Sequence, residues 1–437
     1  MKRSSSPSTG RPSPARRLPF VATMVAVVAV FLMTAAGTGL ADPWQGEETT
    51  KDGVVHVMSP ATPSDGTRTA DLEELWRIGG DTDVEEEFFG VISRVTTDKE
   101  GQIYLLDSQL SEVKVFDQDG SYVRTIGREG EGPGEFRNPS DMFFVPGGNI
   151  GIMQMVPGKI VLLTPEGDPA GEYPVPAPAD GAFQLFFGGR LAGEQLALNG
   201  GINTFAEGSF TQTRYLALID KNGKETVRLH EEPREMSFAD MVFDDTQWDT
   251  FDRRWTVGSD NRIYACLSHP NYEVTVWSPQ GKEERVIERK YEHRKRTAEE
   301  VERIKGIYSA FTRQVPNAQI KISEWDKDVN QIFTRDDGSL WVLTSRGEND
   351  RPDGSLGVFD VFDAKGHYVR QVTLRGEGNP QEDGYFFVKD RLYVVTGFLD
   401  AAIAAQGGGT EDTETEVEPD PMAVICYRLD PSKLSMK

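Results

Sequence analysis

The chain has 437 residues and a formal net charge of −23 at pH 7, with 70 acidic against 47 basic side chains. Nucleic acids and anionic lipids are bound through basic faces, so an acidic chain of this kind is unsuited to either partner. A length of this order accommodates two or three ordinary domains or one large all-β domain.

The first 41 residues carry the features of an export signal. A basic stretch is followed by a charge-free apolar run over residues 20–36 and by the small-residue cleavage site Gly39-Leu40-Ala41. We therefore expect residues 1–41 to be a signal peptide or signal anchor, with the folded part exported to the periplasm or the extracellular space. An uncleaved segment 18–40 would anchor the protein in a membrane, and no other membrane contact is predicted. Without residues 1–41 the net charge becomes −28, because five basic residues and no acidic residue are lost.

The rest of the chain divides into a polar segment, a long strand-rich segment and a tail. Residues 42–71 are rich in Pro, Gly, Asp and Thr without sustained periodicity, which predicts a flexible tether. From residue 72 to residue 430, short apolar runs alternate with turn residues, as in an all-β protein, and residues 431–437 are a tail. Cys266 and Cys426 each lie in an apolar run and are predicted to be buried free thiols.

Two series of turns divide the strand-rich segment into repeating units. In the first unit, "DKEGQIYLLD" (98–107) turns between the first and second strands, and "VFDQDGSYV" (115–123) turns between the third and fourth. The six units span residues 91–127, 139–175, 183–229, 252–290, 328–374 and 384–430. The sixth unit lacks a fourth strand, which "LEELWRIGG" (72–80) supplies, and such closure removes unpaired sheet edges. The sequence thus predicts an all-β, six-bladed β-propeller over residues 72–430, closed by an N-terminal outer strand.

The first unit also carries a repeat motif. It combines an acidic turn, an Ile-Tyr strand, a Val-x-Val-Phe-Asp strand and a Pro-Gly-Glu-Phe corner, at Asp98, Gly101, Ile103, Tyr104, Asp107, Val113, Val115, Phe116, Asp117, Gly120, Pro133, Gly134, Glu135, Phe136 and Pro139. The unit resembles a repeat of the NHL-type six-bladed β-propeller proteins. This resemblance implies the propeller fold and a binding or scaffold role, since lyases and lactonases are a minority among related propellers.

In an antiparallel blade, successive connections lie alternately at the two ends of the strands, and therefore on two opposite faces of the propeller. The first-to-second and third-to-fourth turns share one face and are short. The other face, which we call the long-loop face, receives the second-to-third loops and the blade-to-blade segments: residues 81–90, 127–138, 199–213, 230–251, 291–327, 345–356, 375–383 and 397–421. Because long loops on a rigid scaffold commonly form binding sites, we predict that ligands bind to the long-loop face.

Two of these segments have a distinctive pattern. Within the insertion at residues 291–327, apolar residues recur at helical spacing from Val301 to Phe311 behind Thr297. This pattern predicts a helix that covers the propeller between the fourth and fifth blades, with a lid or a partner-docking helix as the alternative. Residues 401–421 are acidic with few apolar positions, so this loop is predicted to be disordered.

The candidate site is a ring of polar residues on the innermost strands. Counting back from the first turn of each blade gives Arg94, Asp141, Gln184, Arg254, Gln331 and Asp383, while apolar residues follow at Val95, Met142, Trp255 and Ile332. Alternation would aim the polar set into the mouth of the central channel and the apolar set away from it. His269 is added as a further ligand-binding candidate, with an ordinary turn histidine as the alternative. A ring whose members only satisfy one another around a water-filled channel is an equally good interpretation.

No motif in the sequence indicates a cofactor or a catalytic centre. The five histidines have no metal-ligand spacing and no calcium loop is complete, so no metal is predicted, with a weakly held divalent cation as the alternative. The leading hypothesis is an exported, monomeric, non-enzymatic propeller that recognises a protein, peptide or glycan through its long-loop face. The alternative is a lactonase-like hydrolase or lyase with its site at the channel mouth.

Overall fold

The computed structural model describes residues 44–237, 239, 241–247, 251–312, 315, 318–405, 421–430 and 434. These residues form six antiparallel blades, which confirms the predicted six-bladed β-propeller. The predicted export signal, 1–41, lies outside the described residues. None of the helices in the described ranges is long and apolar enough to cross a membrane.

The first described segment, residues 44–71, forms a strap along the outer rim of the blades, which we call the N-terminal strap. Its strands are β1 (Glu47–Lys51), β2 (Val54–Ser59) and β3 (Thr67–Asp71), and β4 (Glu73–Gly79) follows directly. β2 pairs in parallel with the outer strand of the fourth blade, and β3 does so with that of the fifth. The predicted flexible tether is therefore wrong for residues 44–71. A strand that docks on a sheet edge through its backbone needs no amphipathic pattern of its own, so composition did not show it.

Blades 1 to 3 follow in chain order. Blade 1 contains β5 (Ile92–Thr97), β6 (Ile103–Asp107), β7 (Glu112–Phe116) and β8 (Tyr122–Ile126). Blade 2 contains β9 (Pro139–Phe144), β10 (Ile150–Gln154), β11 (Lys159–Leu163) and β12 (Pro169–Glu172). Blade 3 has the longest strands: β13 (Ala182–Ala192), β14 (Gln195–Ala206), β15 (Ser209–Ile219) and β16 (Glu225–Ser237).

Blades 4 to 6 carry the helices between their strands. After β17 (Val242–Asp244), blade 4 contains β18 (Trp255–Val257), β19 (Ile263–Ala265), β20 (Glu273–Trp277) and β21 (Glu283–Arg289). The insertion holds α1 (Ala298–Thr312) and β22 (Gln319–Lys321), which pairs in parallel with β17. Blade 5 contains β23 (Val329–Thr334), β24 (Leu340–Thr344), α2 (Ser345–Asn349), β25 (Ser355–Phe362) and β26 (Tyr368–Arg375). Blade 6 contains β27 (Gly384–Val388), β28 (Arg391–Val395), α3 (Phe398–Ala405) and β29 (Ala423–Arg428).

β4 completes blade 6 and closes the ring. It pairs antiparallel with β29, as the sequence predicted. The buried apolar side chains form six clusters, one at each interface between neighbouring blades. At the closing interface, Phe89 and Phe116 of the first blade meet Tyr393 and Cys426 of the sixth. Cys266 and Cys426 are both buried and form no disulfide, as predicted.

Asp107, a residue of the repeat motif, holds two loops of the first blade together. Its carboxylate is fully buried and accepts hydrogen bonds from the backbone N–H groups of Gly90 (2.7 Å), Val91 (3.1 Å), Gln109 (3.0 Å) and Leu110 (2.9 Å). Bonds to an ionised acceptor are stronger than neutral ones. The side chain thereby fixes the corner before β5 to the loop after β6.

Replacement of Asp107 by alanine should lower the free energy of unfolding by about 3 kcal/mol, because four backbone N–H groups lose a fully buried, charged acceptor. Urea denaturation of the wild type and the variant measures the loss. Asp119→Ala is the matched control, since Asp119 is an exposed turn residue of the same blade and its loss should cost less than about 0.5 kcal/mol. Equal stability of the two variants would contradict this role of Asp107.

The glycine-rich corner at residues 127–136 is a packed turn. Glu135 accepts a hydrogen bond from Gly132 N at 2.8 Å and pairs with Arg128 at 2.6 Å, so its carboxylate points into its own loop. Phe136 is fully buried between blades 1 and 2. A Cβ atom at Gly127, whose φ is +76°, would lie 2.5 Å from the Phe136 ring, so only glycine fits there.

Three predictions for the long-loop face can be compared with the structure. Residues 199–213 were predicted as a loop but continue β14 and β15 to a turn at 207–208, so that blade 3 projects from this face. The predicted helix is present as α1, and Thr297 and Glu300 cap it reciprocally through N–H donors at 3.2 and 2.7 Å. Residues 401–405 of the predicted disordered loop belong to α3, and 406–420 lie outside the described residues.

Candidate functional site

The inner strands of the blades surround a central channel. Its cavity has a volume of about 250 Å³ and extends from Asp252 and Arg253 at the long-loop face to Thr334 and Val388, where two inner strands end. Charged and aromatic side chains share its wall: Arg94, Asp141, Arg190, Asp252 and Arg253 with Phe187, Trp255, Tyr385, Phe386, Phe387 and Phe398.

Three of the predicted site residues, Arg94, Asp141 and Gln331, line the channel. Met142 is buried between blades, as expected for the apolar set. Val95, Trp255 and Ile332 are likewise buried in the clusters between blades, although each of them also borders the cavity. Pairing is irregular at residue 93 of β5 and at residue 330 of β23, directly before Arg94 and Gln331.

Three other candidates have their contacts outside the channel. Gln184 donates to Tyr215 Oη at 3.3 Å, because β13 runs on to residue 192 and faces the channel at residues 187–190. Arg254 is buried and donates to Ser268 O at 3.4 Å, while the preceding residue lines the cavity.

Asp383 belongs to the corner before β27. Its carboxylate accepts the N–H groups of Asn379 and Gly397 at 2.6 and 3.0 Å. Burial raises the pKa of Asp383, and these two donors oppose the shift. The channel positions of blade 6 are residues 384–388 instead.

Two arginines of the channel, Arg190 and Arg253, were not predicted from the sequence. Arg190 stands two residues before the end of β13, close to the turn of "RLAGEQLALN" (190–199), whereas Gln184 lies near the other end of this strand. Arg253 ends a 3₁₀ helix, Phe251–Arg253, that directly precedes β18. No periodic signal marks this helix in the sequence.

Asp141 is the buried carboxylate of the channel, with 5% of its side chain exposed. Its Oδ2 accepts from Arg190 Nη1 and from Gly189 N at 3.0 Å, and its Oδ1 accepts from Met142 N at 2.8 Å. The same Oδ1 lies 3.5 Å from Arg94 Nε. One carboxylate therefore faces two guanidinium groups. Burial and the charge of Arg190 lower the pKa of Arg94 to about 9, and Asp141 opposes this shift.

Asp252 and Arg253 connect the channel with a second cavity. Asp252 Oδ1 accepts from Asn199 Nδ2 at 2.6 Å and from Arg214 Nη2 at 2.8 Å. Arg253 is exposed inside the cavities, and its guanidinium carbon lies 5.6 Å from the centre of the Phe398 ring. Its surroundings lower the pKa of Arg253 by loss of hydration, while the neighbouring carboxylates oppose this.

The second cavity, which we call the cleft, lies on the long-loop face between α1, α2 and α3. Its volume is about 500 Å³. It is lined by Asp245, Asp252, Arg253, His269, Arg296, Glu300, Arg303, Ile304, Ile307, Tyr308, Asp326, Lys327, Asn330, Glu348, Asn349, Gln381 and Leu399. The predicted candidate His269 thus lines the cleft and not the channel.

Buried arginines tie the start of α1 to the propeller. Arg294 donates to both carboxylate oxygens of Glu300 at 2.7 and 2.9 Å and to Asp350 at 2.8 Å. Arg296 pairs with Asp245 at 2.5 Å and with Asp326 at 3.3 Å. These pairs join α1 to the segments before and after it, which favours a fixed cover over a hinged lid.

Among the carboxyl groups that line the cleft, Glu348 on α2 has the pKa that departs most from its ordinary value. Loss of hydration and the nearby charge of Asp326 raise the pKa of Glu348 to about 7, and Lys327 and Arg253 oppose the shift. The cleft therefore changes its charge close to neutral pH.

Within the residues that the structure describes, no three His, Cys, Asp or Glu side chains lie close enough together to hold a metal ion. His293 Nδ1 lies 2.8 Å from Asp328 Oδ1, and the ring of His230 packs edge-on against Phe251. The expectation that the protein binds no metal or cofactor stays a prediction.

Comparison with known families supports the fold. Residues 83–176 match the DUF5128 family, described as a 6-bladed beta-propeller. The matching family is not the NHL-repeat family, so the similarity of the first blade to an NHL repeat stays a resemblance. The sequence matches no curated protein.

Several solved structures are similar to the chain at low identity. A putative exported protein from Bacteroides fragilis is 12% identical, covers 86% of this chain and 99% of its own, and has a TM-score of 0.46. A DUF4221 family member from Bacteroides vulgatus is 12% identical, with coverages of 82% and 97% and a TM-score of 0.47. A streptogramin B lyase is 12% identical, with coverages of 81% and 98% and a TM-score of 0.38. No ligand or activity follows from likenesses of this degree.

Proposed function

We propose that this protein is an exported binding module that recognises a protein, peptide or glycan through the cleft. The observation that carries the proposal is the position of the cleft: it lies on the long-loop face and joins the central channel at Asp252 and Arg253. A concave site on a rigid scaffold is the usual setting for ligand recognition.

The lining of the cleft suits a polar, extended ligand. The cleft contains both acidic and basic side chains. Among them lie the amides of Asn330, Asn349 and Gln381, which both donate and accept hydrogen bonds. Apolar contact area comes from α1 and α3 through Ile304, Ile307 and Leu399. Peptides and glycans present this mixture of hydrogen-bonding groups and apolar surface.

Capture experiments with matched variants test the proposal. The immobilised protein is incubated with the exported fraction of its host and, separately, with a panel of peptides and oligosaccharides. Arg303→Glu reverses an exposed charge in the cleft, whereas Lys221→Glu reverses an exposed charge in a short turn on the opposite face. We expect a ligand captured by the wild type and by K221E and lost at least tenfold by R303E. A ligand retained by R303E and lost by K221E would overturn the proposal.

A hydrolase or lyase is the second candidate, and Glu348 is the observation that favours it. A carboxyl whose pKa is about 7 can give and take a proton at neutral pH, and Arg253 in the same cleft can stabilise a developing negative charge. Turnover of a captured ligand by the wild type but not by Glu348→Gln would support this candidate. Release of an unchanged ligand from the wild type would exclude it for that ligand.

Glu348 should also make the stability of the protein depend on pH. The folded state holds the proton of Glu348 more tightly than the unfolded chain does, so stability falls as the pH rises from about 4.5 to about 7. Glu348→Gln removes this contribution, and its melting temperature relative to the wild type should therefore be higher at pH 8 than at pH 5. Glu299→Gln, at an exposed position of α1, is the control and should show no such change. An equal offset of E348Q at both pH values would contradict the prediction.

A further inference from the structure

The channel is basic within an acidic protein. Arg94, Arg190 and Arg253 line one cavity of about 250 Å³, against the carboxylates of Asp141 and Asp252. Asp252 also pairs with Arg214, at 2.8 Å. The channel wall therefore carries a net positive charge, although the whole chain has a formal charge of −23.

Arg94 and Arg190 have N–H groups that donate no hydrogen bond to the described residues. Among the contacts of the described residues, Arg94 donates no hydrogen bond, and its nearest carboxylate oxygen is 3.5 Å away. Arg190 donates only through Nη1, to Asp141 and to Gly189 O. The side chains of Arg94 and Arg190 are each 23% exposed, so the guanidinium groups remain accessible from the cavity. Two fork-shaped cations with open donors match a bidentate oxyanion.

Each of these arginines lies close to an aromatic ring of the same cavity. The guanidinium carbon is 5.9 Å from the Phe386 ring centre for Arg94 and 5.7 Å from that of Trp255 for Arg190. At the mouth, the corresponding distance from Arg253 to Phe398 is 5.6 Å. A ligand that enters from the cleft thus meets flat apolar walls and cationic groups together.

We infer that the channel binds an organic oxyanion, a carboxylate or phosphate group on a flat apolar body, which is held between Arg94 and Arg190 and inserted through the cleft. This inference rests on the proposed function, because the oxyanion would be the anchoring group of the ligand that the cleft recognises. Asp141 forms ion pairs with both guanidinium groups, and its oxygens already accept hydrogen bonds from Met142 N, Gly189 N and Arg190 Nη1. A bound anion would also offset the mutual repulsion of the two arginines, which, together with the larger effect of burial, lowers the pKa of Arg94.

Calorimetric titration of the purified protein with small probes tests the inference without the macromolecular ligand. Benzoate and phenyl phosphate are compared with benzamide, the uncharged counterpart of benzoate, and with inorganic phosphate, which has no ring. We expect at least one ring-bearing anion to bind tenfold or more tightly than benzamide and inorganic phosphate. Which of the two binds more tightly distinguishes a carboxylate from a phosphate.

Variants locate the binding. Arg94→Gln and Arg190→Gln should each weaken binding of the anion tenfold or more, and Arg94→Lys should recover part of the loss. Arg262→Gln is the control, because Arg262 pairs with Asp260 and Glu284 at an exposed hairpin outside the channel and should leave the affinity unchanged. Thermal melting identifies any variant that fails to fold.

Two results would overturn the inference: equal binding of benzoate, phenyl phosphate and benzamide, or unchanged affinity in both glutamine variants. In either case the proposed function still stands if R303E, and not K221E, loses the captured ligand. If the Arg94 and Arg190 variants lose affinity for the anion while R303E still captures the ligand, the proposed function is wrong and the anion site is retained.

Discussion

Deletion of the N-terminal strap should lower the free energy of unfolding by on the order of 5 kcal/mol and cause the protein to associate. β2 and β3 pair with the outer strands of blades 4 and 5 over residues 55–59 and 67–71. Val57, Ser59 and Ala70 of these strands are buried. Their removal exposes two sheet edges and the apolar surface under them. Urea denaturation and light scattering measure the two effects.

A shorter deletion provides the control for the strap. Removal of residues 44–53 takes away β1, all five residues of which are exposed, and leaves β2 on blade 4. This deletion also removes Trp44, which stacks on His367 at 3.9 Å and donates to Ser59 Oγ at 3.2 Å, so a smaller loss is expected. If deletion of residues 44–71 is no more destabilising than deletion of 44–53, the strap does not stabilise the blades.

Asp141→Asn should lower the free energy of unfolding by about 3 kcal/mol, because it leaves Arg94 and Arg190 together without their carboxylate. The effect should shrink when an anion is added, since sulfate or benzoate can replace the missing charge between the guanidinium groups. Chemical denaturation with and without the anion measures both quantities. The exposed fraction of Asp141 is only 5%, so solvent screening does little to reduce the loss.

Asp260→Asn is the matched control for Asp141→Asn. Asp260 also pairs with an arginine, Arg262, at 3.1 Å, but 37% of its side chain is exposed. An exposed pair contributes less than about 1 kcal/mol, and its loss should not be rescued specifically by an anion. Equal destabilisation of the two variants, or equal anion rescue, would contradict the part assigned to Asp141.

The number of blades and the closing strand were predictable because turn residues are local signals. Gly120 and Gly281, for example, adopt positive φ in corresponding turns of blades 1 and 4, which selects glycine regardless of the rest of the fold. The strap was not predictable in this way. Its strands are stabilised by backbone bonds to distant blade edges, and nothing in the composition of residues 44–71 records those edges.

The channel residues were only partly predictable for a related reason. Arg94 and Asp141 follow the spacing from their turns, and both line the channel. Gln184 was predicted as the member from the third blade, whereas β13 has 11 residues and presents Arg190 to the channel. Irregular pairing and strand length depend on how neighbouring blades pack, so they leave no mark in a single strand's pattern.

Anomalous diffraction from crystals soaked in sodium bromide tests the arginine-lined channel most directly. We expect a bromide ion within hydrogen-bonding distance of Arg94 and Arg190 in the wild type, and none there in the double variant R94Q/R190Q. A wild-type channel without bromide, in crystals where bromide occupies other arginines of the surface, would contradict an anion-binding channel beneath the cleft.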